Sequence, residues 1–176
     1  MNDVRTKPSI GVEFTIRRTF DAPLDRVWQA WTDPERMSKW WGPKGYASNV
    51  VKLDLRPGGI CHYLLVSPEG QEMWGKLLYR EIVPKDRLVF LTAFSDPNEG
   101  LTTHPLSPDW PRQMLTTVTF SEKDSKTAVK VHWVPYEATD TERAVFEAGL
   151  GACEAGWTGT FEQLECYLAA PGGATA

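Results

Sequence analysis

Residues 139–170 read TDTERAVFEAGLGACEAGWTGTFEQLECYLAA, and this stretch decides the fold. Phe146, Leu150, Cys153, Trp157, Phe161, Leu164 and Leu168 recur at steps of three and four, which at about 100° per residue places them on one stripe of a helix. Thr139 with Glu142 is a capping-box signature, Asp140 and Glu142 put negative charge where the helix dipole favours it, and Pro171-Gly172 ends the run. The spacing predicts one continuous helix over 139–170, roughly 45 Å long at about 1.5 Å per residue. Such a helix needs a broad partner surface for its apolar side.

The rest of the chain supplies that surface. Residues 13–20 alternate, with Phe14, Ile16 and Phe20 on one side and Thr15, Arg17 and Thr19 on the other, as in a half-buried strand. Asp21-Ala22-Pro23 and Asp33-Pro34-Glu35 each open a short helix, the first carrying Val27, Trp28 and Trp31 inward, the second Met37, Trp40 and Trp41 up to the break at Gly42-Pro43. Strands are then predicted over 48–54, 60–66, 72–83, 87–95, 114–121 and 127–135, separated by turn clusters such as Arg56-Pro57-Gly58-Gly59 and Ser67-Pro68-Glu69-Gly70. Short links between consecutive strands favour an antiparallel meander. Residues 96–112, with Pro97, Pro105, Pro108 and Pro111, interrupt the meander as a long rim loop. The plan is α+β: a sheet of about seven strands covered by the terminal helix, in one domain over 12–170 with flexible ends at 1–11 and 171–176.

Composition removes several classes of function. A net charge of −4 without a clustered basic face argues against nucleic acid as a partner. No segment approaches the ~20 apolar residues of a membrane span, and MNDVRTKPS lacks a signal-like apolar core, so a cytoplasmic protein without membrane contact is expected. Cys61, Cys153 and Cys166 are widely spaced, and neither a disulfide framework nor a zinc site is indicated. The eight tryptophans suit a demanding core or an aromatic-lined pocket, and composition alone does not choose between them.

The segments FTIRRTFDAPLDRVWQAWTDPERMSKWWGP, RPGG with GKLLYREIVPKDRLVF, and GWTGTFEQLECYL resemble the SRPBCC, or START/Bet v-like, superfamily, with the closest likeness to the branch named after the C-terminal domain of the activator of heat-shock protein 90 ATPase. The resemblance runs from about Val12 to Leu168. It implies a helix-grip fold, a curved antiparallel sheet wrapped around the long C-terminal helix, with an internal pocket for apolar or amphipathic molecules. It implies little about chemistry, since the same shape serves carriers, hormone binders, cyclases and co-chaperone modules. A chaperone partner is suggested by the branch name alone. The named co-chaperone carries a further N-terminal domain, which is not expected here.

Candidate site residues follow from this plan. Trp40, Trp41, Trp74, Trp133, Phe146, Leu150, Cys153, Trp157 and Phe161 are the expected cavity wall, although an ordinary core would use the same residues. Gly149, Gly156 and Gly159 support a cavity, because each glycine costs up to about 1 kcal/mol in a helix and asks for a compensating role. Among the histidines, His62 is the candidate general base or ligand contact if its strand register turns it inward. His132 alternates away from Val131 and Trp133, and His104 reaches a pocket mouth only if the rim loop folds inward. Glu72, Arg80, Glu81 and Arg112 can border a pocket, but a solvated face or rim explains them more simply. There is no nucleophile motif, phosphate-binding loop or metal-ligand spacing, and no cofactor is called for. The expectation is therefore a protein that binds an apolar or aromatic small molecule. A cyclase-, aromatase- or hydrolase-type enzyme and a chaperone-interacting stress-response module are the alternatives. An exposed sheet edge leaves a homodimer open.

Overall fold

In the computed structural model, which describes residues 11–171, the strands occur in the predicted order. They are β1 Phe14–Phe20, β2 Ala47–Leu53, β3 Ile60–Val66, β4 Glu72–Val83, β5 Arg87–Ser95, β6 Gln113–Lys123 and β7 Lys126–Pro135. All neighbours pair antiparallel in the spatial order β1-β7-β6-β5-β4-β3-β2. The first strand thus crosses to the far edge beside the last, and the meander fills the space between. The ends expected at 1–11 and 171–176 lie outside the described residues, apart from Gly11 and Pro171.

Local chemistry accounts for the pairing. Lys123 pairs with Lys126 across Asp124 and Ser125, whose φ values of 53° and 62° match a tight two-residue hairpin turn of primed type. Ser67 O accepts from Gly70 N at 2.9 Å, closing the turn between β3 and β4 over Pro68. Register shifts between Val50 and Lys52 and between Tyr79 and Glu81 are bulges that bend their strands and help the sheet to curl.

The two short helices are α1 Leu24–Thr32 and α2 Pro34–Met37, and the Asp33 side chain caps the second by accepting from Arg36 N at 2.9 Å. The terminal stretch corrects the single-helix expectation. It forms α3 Asp140–Ala148 and α4 Leu150–Ala169, broken at Gly149, whose φ of −94° and ψ of 4° lie in the bridge region. The capping box is formed in full: Thr139 Oγ1 accepts from Glu142 N at 3.2 Å, and Glu142 Oε2 accepts from Thr139 N at 2.8 Å. With its curved seven-stranded antiparallel sheet and long C-terminal helix, the architecture is the helix-grip α+β fold.

The core lies between the concave sheet face and the helices. Trp31, Trp40, Phe20, Phe90, Phe146, Phe161 and Leu164 are fully buried in it, with Leu168 beside them. Trp31 and Trp40 meet edge-on with ring centroids 4.8 Å apart, and Phe20 meets Phe161 at 5.5 Å. Each such aromatic pair contributes about 0.5–1.5 kcal/mol beyond its buried area. Helix α4 is fixed to the chain just after α2. Gly42 O accepts from Thr160 Oγ1 at 3.0 Å and from Gln163 Nε2 at 2.6 Å. Among the described residues no helix is long and apolar enough to cross a membrane.

Candidate functional site

Between the sheet and α4 lies an open pocket, or cavity, of about 360 Å³. Its sheet wall is the inner face of four strands: Tyr63 and Leu65 on β3, Met73 on β4, Thr92 and Phe94 on β5, and Trp133 on β7. Period-two alternation selects these positions once the register is set, and Tyr63 pairs with Gly75 on that face. Helix α4 contributes Ala152, Cys153, Gly156, Trp157 and Thr160, spaced at three and four so that one face looks into the space. Residues 41–43 and two rim-loop residues, His104 and Trp110, complete the lining.

The rim loop folds inward through consecutive ring contacts. Phe94 meets His104 at 4.8 Å, His104 meets Trp110 at 6.3 Å, and Trp110 meets Phe146 at 5.6 Å. His104 Nδ1 accepts from Leu106 N at 3.0 Å, and desolvation holds the imidazole below its ordinary pKa. The ring is therefore neutral at pH 7 with its proton on Nε2, a hydrogen-bond donor in an apolar wall. In the same lining, burial pushes the Cys153 thiol up to about 11, so it stays protonated. Burial also raises the Tyr63 phenol and keeps it neutral, with Trp41 acting in the other direction. Among the described residues, no Asp, Glu, Lys or Arg lines this cavity.

A second hollow of about 50 Å³ adjoins it, sharing Tyr63, Met73, Thr92, Phe94, Trp110 and Trp133 and adding Trp74, Gly75 and Arg112 among its walls. The Tyr63 ring occupies space that only glycine leaves open, since a β-carbon on Gly75 would stand 2.4 Å from the ring.

The predicted wall residues divide between cavity and core. Trp41, Trp133, Cys153 and Trp157 line the cavity, whereas Trp74, between the inward positions Met73 and Gly75, carries its ring on the opposite face of the sheet. Trp40 lies behind the wall, 1% exposed, and donates from Nε1 to Ala30 O at 2.9 Å. Phe146 and Phe161 are packed in the core, and Leu150 is half-buried against it without entering the lining. Correcting the inward alternative, His62 faces the opposite side of the sheet. It stacks on Trp74 at 4.8 Å, and its Nε2 lies 3.1 Å from Ser95 Oγ and 3.2 Å from Asp96 O, under the turn of 96–100.

The remaining candidates have surface partners or none. Glu81 pairs with Arg87, Arg80 stacks over Tyr136 with its guanidinium 5.4 Å from the ring centre, and His132 lies 3.2 Å from Glu13. Glu72 is exposed. The wall residues not picked out from sequence, such as Tyr63, Met73 and Phe94, required the register of β3 to β5. Trp110 and His104 required the path of the rim loop. Among the described residues, no cluster of three or more His, Cys, Asp or Glu side chains could hold a metal ion.

Comparison with known proteins places this geometry. The chain is similar in structure to protein Ms6760 of Mycobacterium smegmatis, with a TM-score of 0.73, 28% identity, and coverage of 92% of this chain and 93% of that one. It is also similar to a protein from Arthrobacter aurescens, with a TM-score of 0.76, 25% identity, and coverage of 95% and 91%. The AHSA1 protein of Silicibacter pomeroyi shares the fold at a TM-score of 0.66 and 17% identity, over 90% of this chain and 98% of that one. No curated protein sequence matches. The model of one sequence family matches residues 21–169, most of the strands and all the helices, and the chain therefore belongs to the family described as Activator of Hsp90 ATPase homolog 1-like protein.

Proposed function

We propose that the protein binds an apolar or aromatic small molecule in the cavity between the sheet and α4, with 12–170 acting as a single ligand-enclosing domain. The observation that carries this reading is the lining: a space of about 360 Å³ walled by Trp41, Tyr63, Phe94, Trp110, Trp133 and Trp157, with no formally charged side chain among the described residues. Pockets of this size and character suit largely buried organic ligands with a few polar contacts for orientation. Tyr63, Thr92, His104 and the indole N–H of Trp133 are among the polar groups in the lining that can give those contacts.

The test is a titration of the purified protein with a panel of neutral polycyclic and aliphatic probes, following indole fluorescence and melting temperature. A binder at a concentration 100 times its Kd should stabilise the fold by about 2.7 kcal/mol. Saturable quenching and a raised melting temperature support the reading. A diverse panel without response overturns it.

An enzyme of cyclase, aromatase or hydrolase type is the alternative, and the observation on its side is the neutral His104 at the wall. Turnover of a bound probe that disappears in His104→Gln while binding persists would favour it. The family description also suggests a chaperone partner. Stimulation of Hsp90 ATPase activity by the purified chain would support that role, and no stimulation together with no complex would remove it.

A further inference from the structure

The charge distribution around the two hollows is uneven, and it narrows the ligand class. Among the described residues, the main cavity has no formally charged wall residue. The small hollow, which shares six wall residues with it, has one among the described residues, Arg112. Arg112 follows Trp110 and Pro111, which also line this hollow, so the end of the rim loop places an exposed arginine beside the aromatic wall. Among the described residues it makes no ion pair or side-chain hydrogen bond, in contrast to Arg18, Arg56 and Arg87, each of which has a carboxylate partner.

We propose that the ligand is amphipathic, an aromatic body filling the main cavity and an anionic head, a carboxylate, seated in the small hollow against Arg112. This rests on the reading of the main cavity as a binding site. The guanidinium is permanently charged, and its planar fork matches the two oxygens of a carboxylate. A hollow of about 50 Å³ accommodates a head group but not a ring system. An apolar body covering the approach on one side also lowers the local dielectric, strengthening the pair relative to one in open water.

The experiment compares 9-anthracenecarboxylate with 9-anthracenecarboxamide, probes of nearly the same shape that differ in charge, by calorimetry and fluorescence at pH 7.5. The variants are Arg112→Gln and, as a marker for the main cavity, Gly156→Leu. Wild type should bind the carboxylate about tenfold more tightly than the amide, and rising salt should narrow the gap, as for a partly exposed charge pair. In Arg112→Gln the ratio should fall to about one, with the affinity for the amide unchanged. A ratio unaffected by Arg112→Gln, with both probes still excluded by Gly156→Leu, overturns the head-group assignment alone. Binding of neither probe to wild type, or binding of both to Gly156→Leu as tight as to wild type, overturns the cavity reading and the head-group assignment together.

Discussion

Gly149 and Trp110 compete for the same space: a β-carbon built on the glycine would stand 2.8 Å from Cζ3 of the indole. This contact sits at the break between α3 and α4, where Gly149 N still reaches Val145 O and Phe146 O at 3.0 Å and Cys153 N reaches Gly149 O at 3.0 Å. The backbone ladder is bent rather than lost, and the absent side chain lets the rim loop close onto the helix. Gly149→Ala should therefore force Trp110 outward and cost about 1–3 kcal/mol, as overpacking does, despite the better helix propensity of alanine. Trp110→Ala in the same chain should relieve most of that cost. Denaturant unfolding of the two single variants and the double variant measures the coupling, and simple additivity would refute the contact.

The same pair explains what the sequence could and could not convey. The terminal stripe, its capping box and the strand punctuation were legible because each is a local pattern, and β3, β4 and β5 begin and end where the pattern puts them. The break at Gly149 was not legible, because its partner lies in a proline-rich loop far away in sequence. Trp40 and Trp41 show the same limit. Adjacent and chemically identical, they differ in that one donates to Ala30 O inside the core while the other lines the cavity. His62 turned on a single register step, since its neighbours Cys61 and Tyr63 face inward.

Gly156 faces the cavity from α4, and a β-carbon there meets nothing within 4 Å. Replacement by leucine should add up to about 1 kcal/mol of helix propensity and raise the melting temperature by a few degrees. The same side chain should occupy ligand space and weaken binding of neutral aromatic probes at least tenfold. Thermal melts and probe titrations on one preparation check both. A variant that is stabilised yet binds as wild type would place the ligand elsewhere.

The three thiols should react in order of access and ionisation. Cys166 is exposed, Cys153 sits in the cavity wall with its thiol raised to about 11, and Cys61 is fully buried with its thiol raised to about 12. Since the thiolate is the nucleophile, iodoacetamide at pH 8 should label Cys166 first, Cys153 slowly, and Cys61 only on unfolding. A cavity ligand should slow Cys153 labelling and leave Cys166 unchanged. Mass spectrometry of timed digests reads the sequence of events, and ligand protection confined to Cys166 would contradict the cavity assignment.

His104 gives the fold a pH dependence of definite sign. Burial lowers its pKa, so the folded protein binds fewer protons than the unfolded chain between the folded value and the unperturbed value of about 6.5. Its contribution is fully present above pH 6.5 and is lost as the pH falls from there through the folded pKa. Wild type should therefore lose stability between pH 7.5 and 5 relative to His104→Gln, in which the other titrating groups are shared and cancel. A ligand that seals the cavity removes more water from the ring and should lower its pKa further, so affinity for a neutral aromatic probe should fall over the same pH window. Proton NMR of the His104 ring, with and without probe, measures both effects. A ring pKa at or above 6.5 that does not respond to the probe would show that His104 does not face the cavity.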